Sequence, residues 1–202
     1  GGATESGSQS VSINIAEDES APTVSLSASS PSIAESSSST VTLTATLSQI
    51  VDEAVVVSFS TSGTATSGID YVAISNITIA AGTPTGTTSF TPTDDAIYES
   101  NEGATVAISS VFGGGATESG SQSVSITMAE NESAPTVSLS ASSPSISERS
   151  SSTITLTVTL SQIVDEAVVV SFSTSGTATS GMDYVAISNI TIAAGSATGT
   201  TS

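Results

Sequence analysis

The amino-acid sequence predicts an all-β protein built from tandem immunoglobulin-like Greek-key β-sandwich modules. Three observations predict this fold: apolar residues alternate with Ser and Thr at period two, glycines interrupt the alternating runs, and one long segment occurs twice. Hydrophobic residues form 37% of the 202 residues, which argues for a folded core rather than a disordered chain. Aromatic residues form only 3%, so the core is expected to be light and to need further stabilisation.

The repeat defines the expected domain boundaries. Residues 1–89 recur at 114–202 with a constant offset of 113 and differ at ten positions. This period is too long for a solenoid unit and suits one independent sandwich per copy. Pro22 and Pro135 follow acidic stretches and mark the junctions. We therefore expect residues 1–20 to be the C-terminal strand of a preceding repeat, 21–133 to be a complete module, and 134–202 to be an incomplete following repeat.

Period-two alternation marks the strands of the complete module in order. Val41, Leu43, Ala45 and Leu47 alternate with threonines, so one face of this strand is predicted to be buried. The same pattern recurs in four later runs: Val55, Val57 and Phe59; Ile77 and Ile79; Val106 and Ile108; Val124, Ile126 and Met128. The separating positions are Gly63, Gly68, Gly82, Gly86 and residues 113–115. Roughly seven short strands in ~110 residues are typical of a two-sheet sandwich.

The charge composition excludes several classes of function. The chain has 19 Asp and Glu, one Arg, and no Lys, His or Cys, so its formal net charge is -18. Such a polyanion cannot make the phosphate contacts of a nucleic-acid-binding protein, and no apolar run approaches the ~20 residues of a membrane span. Without His, Cys and Lys the usual activated nucleophiles are missing, so we expect no enzyme. A two-carboxylate glycosidase stays formally open, although the chain has no Trp to form a sugar platform.

The acidic residues of the complete module divide into two kinds. Asp52, Glu53 and Glu118 are predicted to lie in a turn or a Gly-rich loop, at the periphery. The other eight fall into clusters: Glu35, Asp70, Asp94, Asp95, Glu99, Glu102, Glu130 and Glu132. Unit charges ~4 Å apart repel by about 4 kcal/mol at an effective dielectric near ~20, so gathered carboxylates would require divalent cations. The alternative is that these acids are dispersed, solvated charges.

The motifs that contain these acids resemble the Calx-β family, whose modules occur in sodium-calcium exchangers, integrin β4 and giant bacterial surface proteins. The resemblance rests on four segments in family order: Ser32-Ile33-Ala34-Glu35, Gly63-Thr64-Ala65-Thr66-Ser67-Gly68-Ile69-Asp70-Tyr71, Asp94-Asp95 through Glu99 and Glu102, and the acidic exit Glu130-Asn131-Glu132. It implies that all eight clustered acids converge at one end of the sandwich as Ca²⁺ ligands. Two departures affect the ion count: Ala96 stands where an acid is common, and the exit is not three Asp.

These expectations combine into a mechanical function. We expect a calcium-stabilised structural repeat, a stalk or extender, of a secreted or cell-surface adhesin or filament, by analogy with giant adhesins and gliding-associated filaments of Gram-negative bacteria. The expected partners are neighbouring repeats and calcium ions, with any other surface protein or host ligand bound elsewhere in the parent chain. The alternative is a receptor- or glycan-binding adhesion module. We also expect the chain to be a piece of a longer repeating protein, the alternative being exchange of end strands between molecules.

Overall fold

A computed structural model describes residues 1–4, 6–16 and 18–202, and this part of the chain contains β-strands but no helix. The first nine strands are β1 (Thr23–Ala28), β2 (Ser32–Ala34), β3 (Val41–Leu47), β4 (Val55–Gly63), β5 (Ile77–Ile79), β6 (Thr85–Phe90), β7 (Glu102–Phe112), β8 (Thr117–Glu118) and β9 (Ser123–Ala129). The remaining five are β10 (Val137–Ala141), β11 (Leu156–Leu160), β12 (Val168–Val170), β13 (Ile190–Ile192) and β14 (Thr198–Thr201). Within these described ranges, no helix has the length and apolarity to cross a bilayer.

Strands β1 to β9 form two sheets with the core between them. One sheet has the order β6-β3-β1-β8 and the other has the order β2-β9-β7-β4-β5. Leu43 of the first sheet and Val57, Val106 and Ile126 of the second are fully buried in one hydrophobic cluster. The predicted all-β sandwich is therefore confirmed, and the complete module is one packed unit.

The predicted alternation holds for most strands and fails at one bulge. Every second residue of β3 is buried, from Val41 to Leu47, as period two requires. Val55 and Val57 are buried too, but Phe59 is only half-buried. The pairing of β4 with β7 shifts register between Ser58 and Phe59, where β7 has one extra residue, and the β4 residues after Phe59 are exposed. Phe59 packs against the core cluster and so lies on the predicted face, although it is only partly covered.

Two glycines explain how closely the strands approach. Gly86 was predicted to separate strands, yet it lies inside β6, and a Cβ atom there would stand 2.7 Å from Cγ2 of Ile77 and 2.8 Å from the carbonyl oxygen of Thr78. Gly63 ends β4 with φ +126, and a Cβ there would meet the carbonyl oxygen of Gly103. Only glycine fits either position.

The short strands β2 and β8 were not predicted. Strand β8 contains Glu118, which was expected in a loop.

The following copy, residues 134–202, reproduces part of the same plan. Strands β10, β11 and β14 form one small sheet, and β12 pairs with β13 in another. At the offset of 113, β10, β11 and β14 correspond to β1, β3 and β6. In the same way β12 and β13 correspond to β4 and β5. Strand β12 has three residues where β4 has nine, because most of β4 pairs with β7 and the following copy has no counterpart of that strand.

The described part of residues 1–20 forms no strand. Val11, Ile13 and Ile15 alternate as in β9, but all three are exposed. In the complete module β9 lies between β7 and β2, whereas no strand pairs with residues 1–4, 6–16 and 18–20. Their assignment to a preceding repeat stays a prediction.

Candidate metal centre

Two acids meet where a pair of parallel strands ends. Strand β2 pairs in parallel with β9, with Ala34 opposite Ala129. Glu35 and Glu130 are the next residues of the two strands, so parallel pairing brings both to the same edge of the sheet. The main-chain amide of Glu35 donates a hydrogen bond of 3.0 Å to the carbonyl oxygen of Ala129, which continues the pairing. Only 6% of Glu35 is exposed.

Glu35, Glu130 and Glu132 form a first acidic group, here called the Glu35 group. One carboxylate oxygen of each lies within 4.8 Å of the other two. The carboxylate of Glu130 accepts hydrogen bonds from the main-chain amides of Glu99, Asn131 and Glu132, the last two at 2.9 and 2.8 Å. These bonds tie the loop that carries Glu99 to the end of β9 and hold the Glu130 side chain in place.

Asp70, Glu99 and Glu102 form a second group, here called the Asp70 group, with the same 4.8 Å limit between their carboxylate oxygens. Asp70 is 9% exposed and accepts a hydrogen bond from the main-chain amide of Thr66, which closes a tight loop. Glu102 is the first residue of β7 and lies opposite Met128 of β9. The strand ends of the second sheet therefore position this group next to the first.

An aromatic pair anchors the loop that carries Asp70. The ring of the adjacent Tyr71 stacks on Phe90 with 4.7 Å between centroids, and both rings are buried. The main-chain amide of Thr93 also donates a hydrogen bond of 2.9 Å to the carbonyl oxygen of Asp70. This bond joins the Asp70 loop to the start of the loop that carries Asp94 and Asp95. The scarce aromatic residues thus fix the site as well as the core.

Crowding of these carboxylates changes their proton affinity. Burial raises the pKa of Glu35 to about 7, and the charges of Glu130 and Glu99 act in the same direction. Burial and the nearby Asp70 raise the pKa of both Glu99 and Glu102 to about 7. No Lys, His or Arg compensates, because the single Arg is Arg149 of the following copy. A bound cation would offset the repulsion between the carboxylates that contributes to these raised pKa values.

Glu130 and Glu132 of the Glu35 group influence each other's pKa through a side-chain hydrogen bond. Burial alone would raise the pKa of Glu130, but hydrogen bonds from Glu132 and from the amides of Glu99 and Asn131 lower it. The same side-chain hydrogen bond to Glu130 raises the pKa of Glu132. The contact between the two carboxylates therefore separates their proton affinities, with Glu130 the more acidic of the two.

One buried oxygen in each group lacks a partner. The Oε2 atoms of Glu102 and Glu132 are buried, and neither has a hydrogen-bond partner among the described residues. Buried polar atoms in folded proteins are nearly always paired, and an unpaired carboxylate oxygen carries a large desolvation cost. Hard cations take carboxylate oxygens as ligands, so the donor set fits calcium.

Asp94 and Asp95 lie outside both groups and are exposed. Asp95 nevertheless acts on both, because its charge contributes to the raised pKa of Glu35 and of Glu99. Its Oδ1 atom accepts a hydrogen bond of 2.7 Å from the amide of Ile97, which shapes the turn. Of the eight predicted ligands, the structure brings six into two groups and places these two at the rim. Their role as ligands stays a prediction.

The sequence analysis missed Asp165, which belongs to the following copy. It follows Val164, which forms a parallel bridge with Tyr98 next to Glu99, and its charge contributes to the raised pKa of both Glu99 and Glu102. Its counterpart Asp52 was interpreted as peripheral, and in the complete module Asp52 is exposed and outside both groups. No motif inside a single copy could have identified Asp165, because its position depends on how consecutive copies pack.

The following copy shows no second centre within its described residues. The counterparts of Glu35 and Asp70 are Glu148 and Asp183, and both are exposed. The loop conformation of Asp183 is kept, since its Oδ2 accepts a hydrogen bond of 2.7 Å from the amide of Thr179. The remaining acids of a group correspond to residues that the following copy does not include.

The fold and the two acidic groups define a class of protein: β-sandwich domains whose loops gather carboxylates at one end of the sandwich. The model of the Calx-beta domain family matches residues 17–129 and 130–192. The chain therefore belongs to the Calx-beta family and contains two consecutive copies of its domain, the second matched in part. This finding confirms the family that the sequence motifs indicated.

Three solved structures are similar to the chain at low sequence identity. The structure titled "Crystal structure of Apo-form Calx CBD1 domain" is 13% identical, with a TM-score of 0.45 over 54% of this chain and 98% of that chain. The calcium binding domain pair CBD12 of CALX1.1 is 16% identical, with a TM-score of 0.44 over 71% of this chain and 61% of that chain. CBD12 from CALX1.2 is 14% identical, with a TM-score of 0.44 over 52% and 43%. No curated protein matches the chain in sequence.

Proposed function

We propose that the complete module binds calcium at the Glu35 and Asp70 groups and that the chain is a calcium-stabilised structural repeat. The observation that carries the proposal is the pair of buried, unpartnered oxygens, Oε2 of Glu102 and Oε2 of Glu132, one in each group. Each group offers three carboxylates whose ligand atoms already lie within 4.8 Å. Membership of a family known for calcium binding supports the same choice of ion.

The chemistry of the groups favours calcium over magnesium. Calcium accepts six to eight oxygen ligands in irregular geometry, whereas magnesium requires a near-ideal octahedron and keeps several waters. Glu35, Glu130 and Glu132 would hold one ion, and Asp70, Glu99 and Glu102 another. Bound calcium supplies positive charge that offsets repulsion among these acids. The exposed Asp94 and Asp95 would close the centre from the solvent side.

The repeat would act as a spacer in a secreted or cell-surface protein. Two copies that differ at ten positions in 89 present nearly the same surface, which suits an extender better than a specific receptor-binding module. The hydrogen bond from the Tyr98 amide to Ile163 joins the two copies, and such a contact suits a stiff stalk. Extracellular modules commonly bind calcium with dissociation constants of ~0.1–1 mM, so calcium outside the cell would suffice. An adhesin or gliding-associated filament is the proposed parent protein.

Calorimetry of the 202-residue chain tests the calcium proposal. We expect isothermal titration to detect calcium binding, and scanning calorimetry to show a melting temperature for the complete module that is higher with calcium than with chelator. Asp70→Asn should weaken binding strongly, whereas the matched change Asp52→Asn, at an exposed position outside both groups, should not. An unchanged melting temperature together with no binding heat would contradict the proposal.

A further inference from the structure

Tyr98 of the complete module contacts the following copy. Its main-chain amide donates a hydrogen bond of 3.0 Å to the carbonyl oxygen of Ile163, and the two chains form a short parallel bridge between Tyr98 and Val164. The Tyr98 ring is half-buried and packs against the core cluster that contains Val164 and Ile192. Val164 is only 5% exposed as a result of its packing. The loop of one copy thus reaches into the core of the next.

The complete module carries the same receiving segment. At the offset of 113, Ile50, Val51 and Asp52 correspond to Ile163, Val164 and Asp165, and all three pairs are identical. The local backbone hydrogen bond is also the same. The amide of Gly82 donates to the carbonyl oxygen of Val51 at 2.8 Å, and the amide of Gly195 donates to the carbonyl oxygen of Val164 at 2.8 Å. The segment therefore has its receiving conformation before any contact is made.

A groove of about 750 Å³ opens over this segment. It is lined by Pro22, Ile50, Val51, Asp52, Gly114 and Gly115, among others. Ile50 is 59% exposed, whereas its counterpart Ile163, beneath the Tyr98 loop, is 37% exposed. An added Cβ at Gly115 would meet nothing within 4 Å, whereas one at Gly114 would stand 2.8 Å from Cγ2 of Val51, so the open space lies on the Gly115 side. Its lining combines the apolar side chains of Pro22, Ile50 and Val51 with the acidic Glu19 and Asp52.

We propose that this groove is the docking site for Tyr98 of a preceding copy of the repeat. Each module then carries an inserted tyrosine at one end and a groove at the other, so that copies join head to tail through one repeated contact. The proposal deepens the proposed function and rests on it for the presence of consecutive copies. The Tyr98 contact seen between the two copies of this chain supplies the geometry.

Docking in this geometry brings Asp52 to the metal centre of the preceding copy. Asp165 follows Val164 and Glu99 follows Tyr98, so the parallel bridge between Tyr98 and Val164 brings Asp165 close to Glu99. Its counterpart Asp52 would take the same place beside the Asp70 group of the copy whose tyrosine enters the groove. Three like charges at one junction oppose docking unless a cation is present, so we expect calcium to strengthen the contact.

Disulfide trapping tests the proposal, because the chain contains no Cys and introduced pairs are unambiguous. The full chain is extended at its N-terminus by one further copy of residues 1–113. Tyr98→Cys in the added copy is combined with Val51→Cys in the original complete module. A second pair uses Ile50→Cys, whose exposed position keeps the core intact. Residues paired across neighbouring strands lie within the distance that a disulfide spans.

Two control pairs calibrate the rate of trapping. Tyr98→Cys with Val164→Cys in the 202-residue chain reproduces the contact already seen and should form readily. Tyr98→Cys in the added copy with Ile69→Cys, an exposed position away from the groove, reports random collision. We expect the groove pairs to form roughly tenfold faster than the Ile69 pair or better, since docking raises the local concentration. Equal rates for the groove pairs and the Ile69 pair would overturn the proposal.

Measuring the trapping rates in calcium and in chelator distinguishes the docking proposal from the proposal that the module binds calcium. Fast trapping of the groove pairs in either solution supports docking, and faster trapping in calcium supports the role of Asp52. Fast trapping in a protein whose melting temperature ignores calcium would keep the docking site and reject the metal centre. A calcium-dependent melting temperature without preferential trapping would keep the metal centre and reject the docking site.

Discussion

The carbonyl oxygen of Ala129 accepts a hydrogen bond of 3.0 Å from the main-chain amide of Glu35, and this one bond sets two acidic strand ends side by side. It extends the parallel pairing of β2 with β9 by one residue. Parallel strands point their carboxyl ends in one direction, so Glu35 and Glu130 leave the sheet together. The Glu35 group is thus a direct consequence of strand topology.

Glu35→Gln should have opposite effects with and without calcium. In the metal-free protein it removes a buried carboxylate whose pKa is raised to about 7, so at about pH 8 we expect the melting temperature to rise by a few degrees. It also removes a ligand, so calcium affinity should fall roughly tenfold or more. Scanning and titration calorimetry measure the two effects. Glu53→Gln, an exposed acid outside both groups, is the matched control and should change neither.

The stability of the metal-free protein should fall as pH rises. Glu35, Glu99 and Glu102 have native pKa values of about 7 against an ordinary value of 4.5, so the native state holds more protons than the unfolded state between these values. Their contribution is fully present below about pH 4.5 and is lost as pH passes about 7. In chelator the melting temperature should therefore be higher at about pH 5 than at about pH 8.

Calcium should reverse that pH dependence. Calcium binds the deprotonated carboxylates, so its stabilisation increases over the same interval in which the metal-free protein weakens. The difference in melting temperature between calcium and chelator should be larger at about pH 8 than at about pH 5. A pH-independent difference would argue against Glu35, Glu99 and Glu102 as ligands.

The exposed pair at the rim should matter more than an equally exposed acid elsewhere. Asp94→Ala or Asp95→Ala should weaken calcium binding far more than Asp52→Ala, because Asp95 acts electrostatically on both acidic groups and Asp94 acts on Glu132. Titration calorimetry of the three variants of the 202-residue chain makes the comparison. Equal losses in all three would indicate diffuse charge screening instead of a site.

Gly86→Ala should destabilise the complete module, whereas Gly103→Ala should be tolerated. A Cβ at Gly86 would stand 2.7 Å from Ile77 and 2.8 Å from the backbone of Thr78, which forces the strands apart at a cost of roughly 1–3 kcal/mol. A Cβ at Gly103, also inside a strand, would meet nothing within 4 Å. Urea unfolding in the absence of calcium compares the two. Similar losses would contradict the close approach of β5 and β6.

Part of the candidate site was predictable from local motifs. The eight clustered acids were identified from their segments, and the structure gathers six of them into two groups. Asp94 and Asp95 lie at the rim because the turn that Asp95 caps keeps them exposed. Phe59 lies on the predicted face, but the sequence does not reveal the bulge at which the buried part of β4 ends. Asp165 could not be found within one copy, since its place depends on packing between copies.

The sequence by itself determined the repeat, its period, the buried face of β3 and the absence of basic partners for the acids. These features depend on residue identity and on spacing along the chain, which period-two alternation converts directly into burial. The tertiary structure decided which acids meet. Glu35 joins Glu130 through parallel pairing across a long sequence separation, and Tyr98 meets Val164 across a junction between copies. Such contacts arise from sheet order and module packing, which residue spacing alone does not encode.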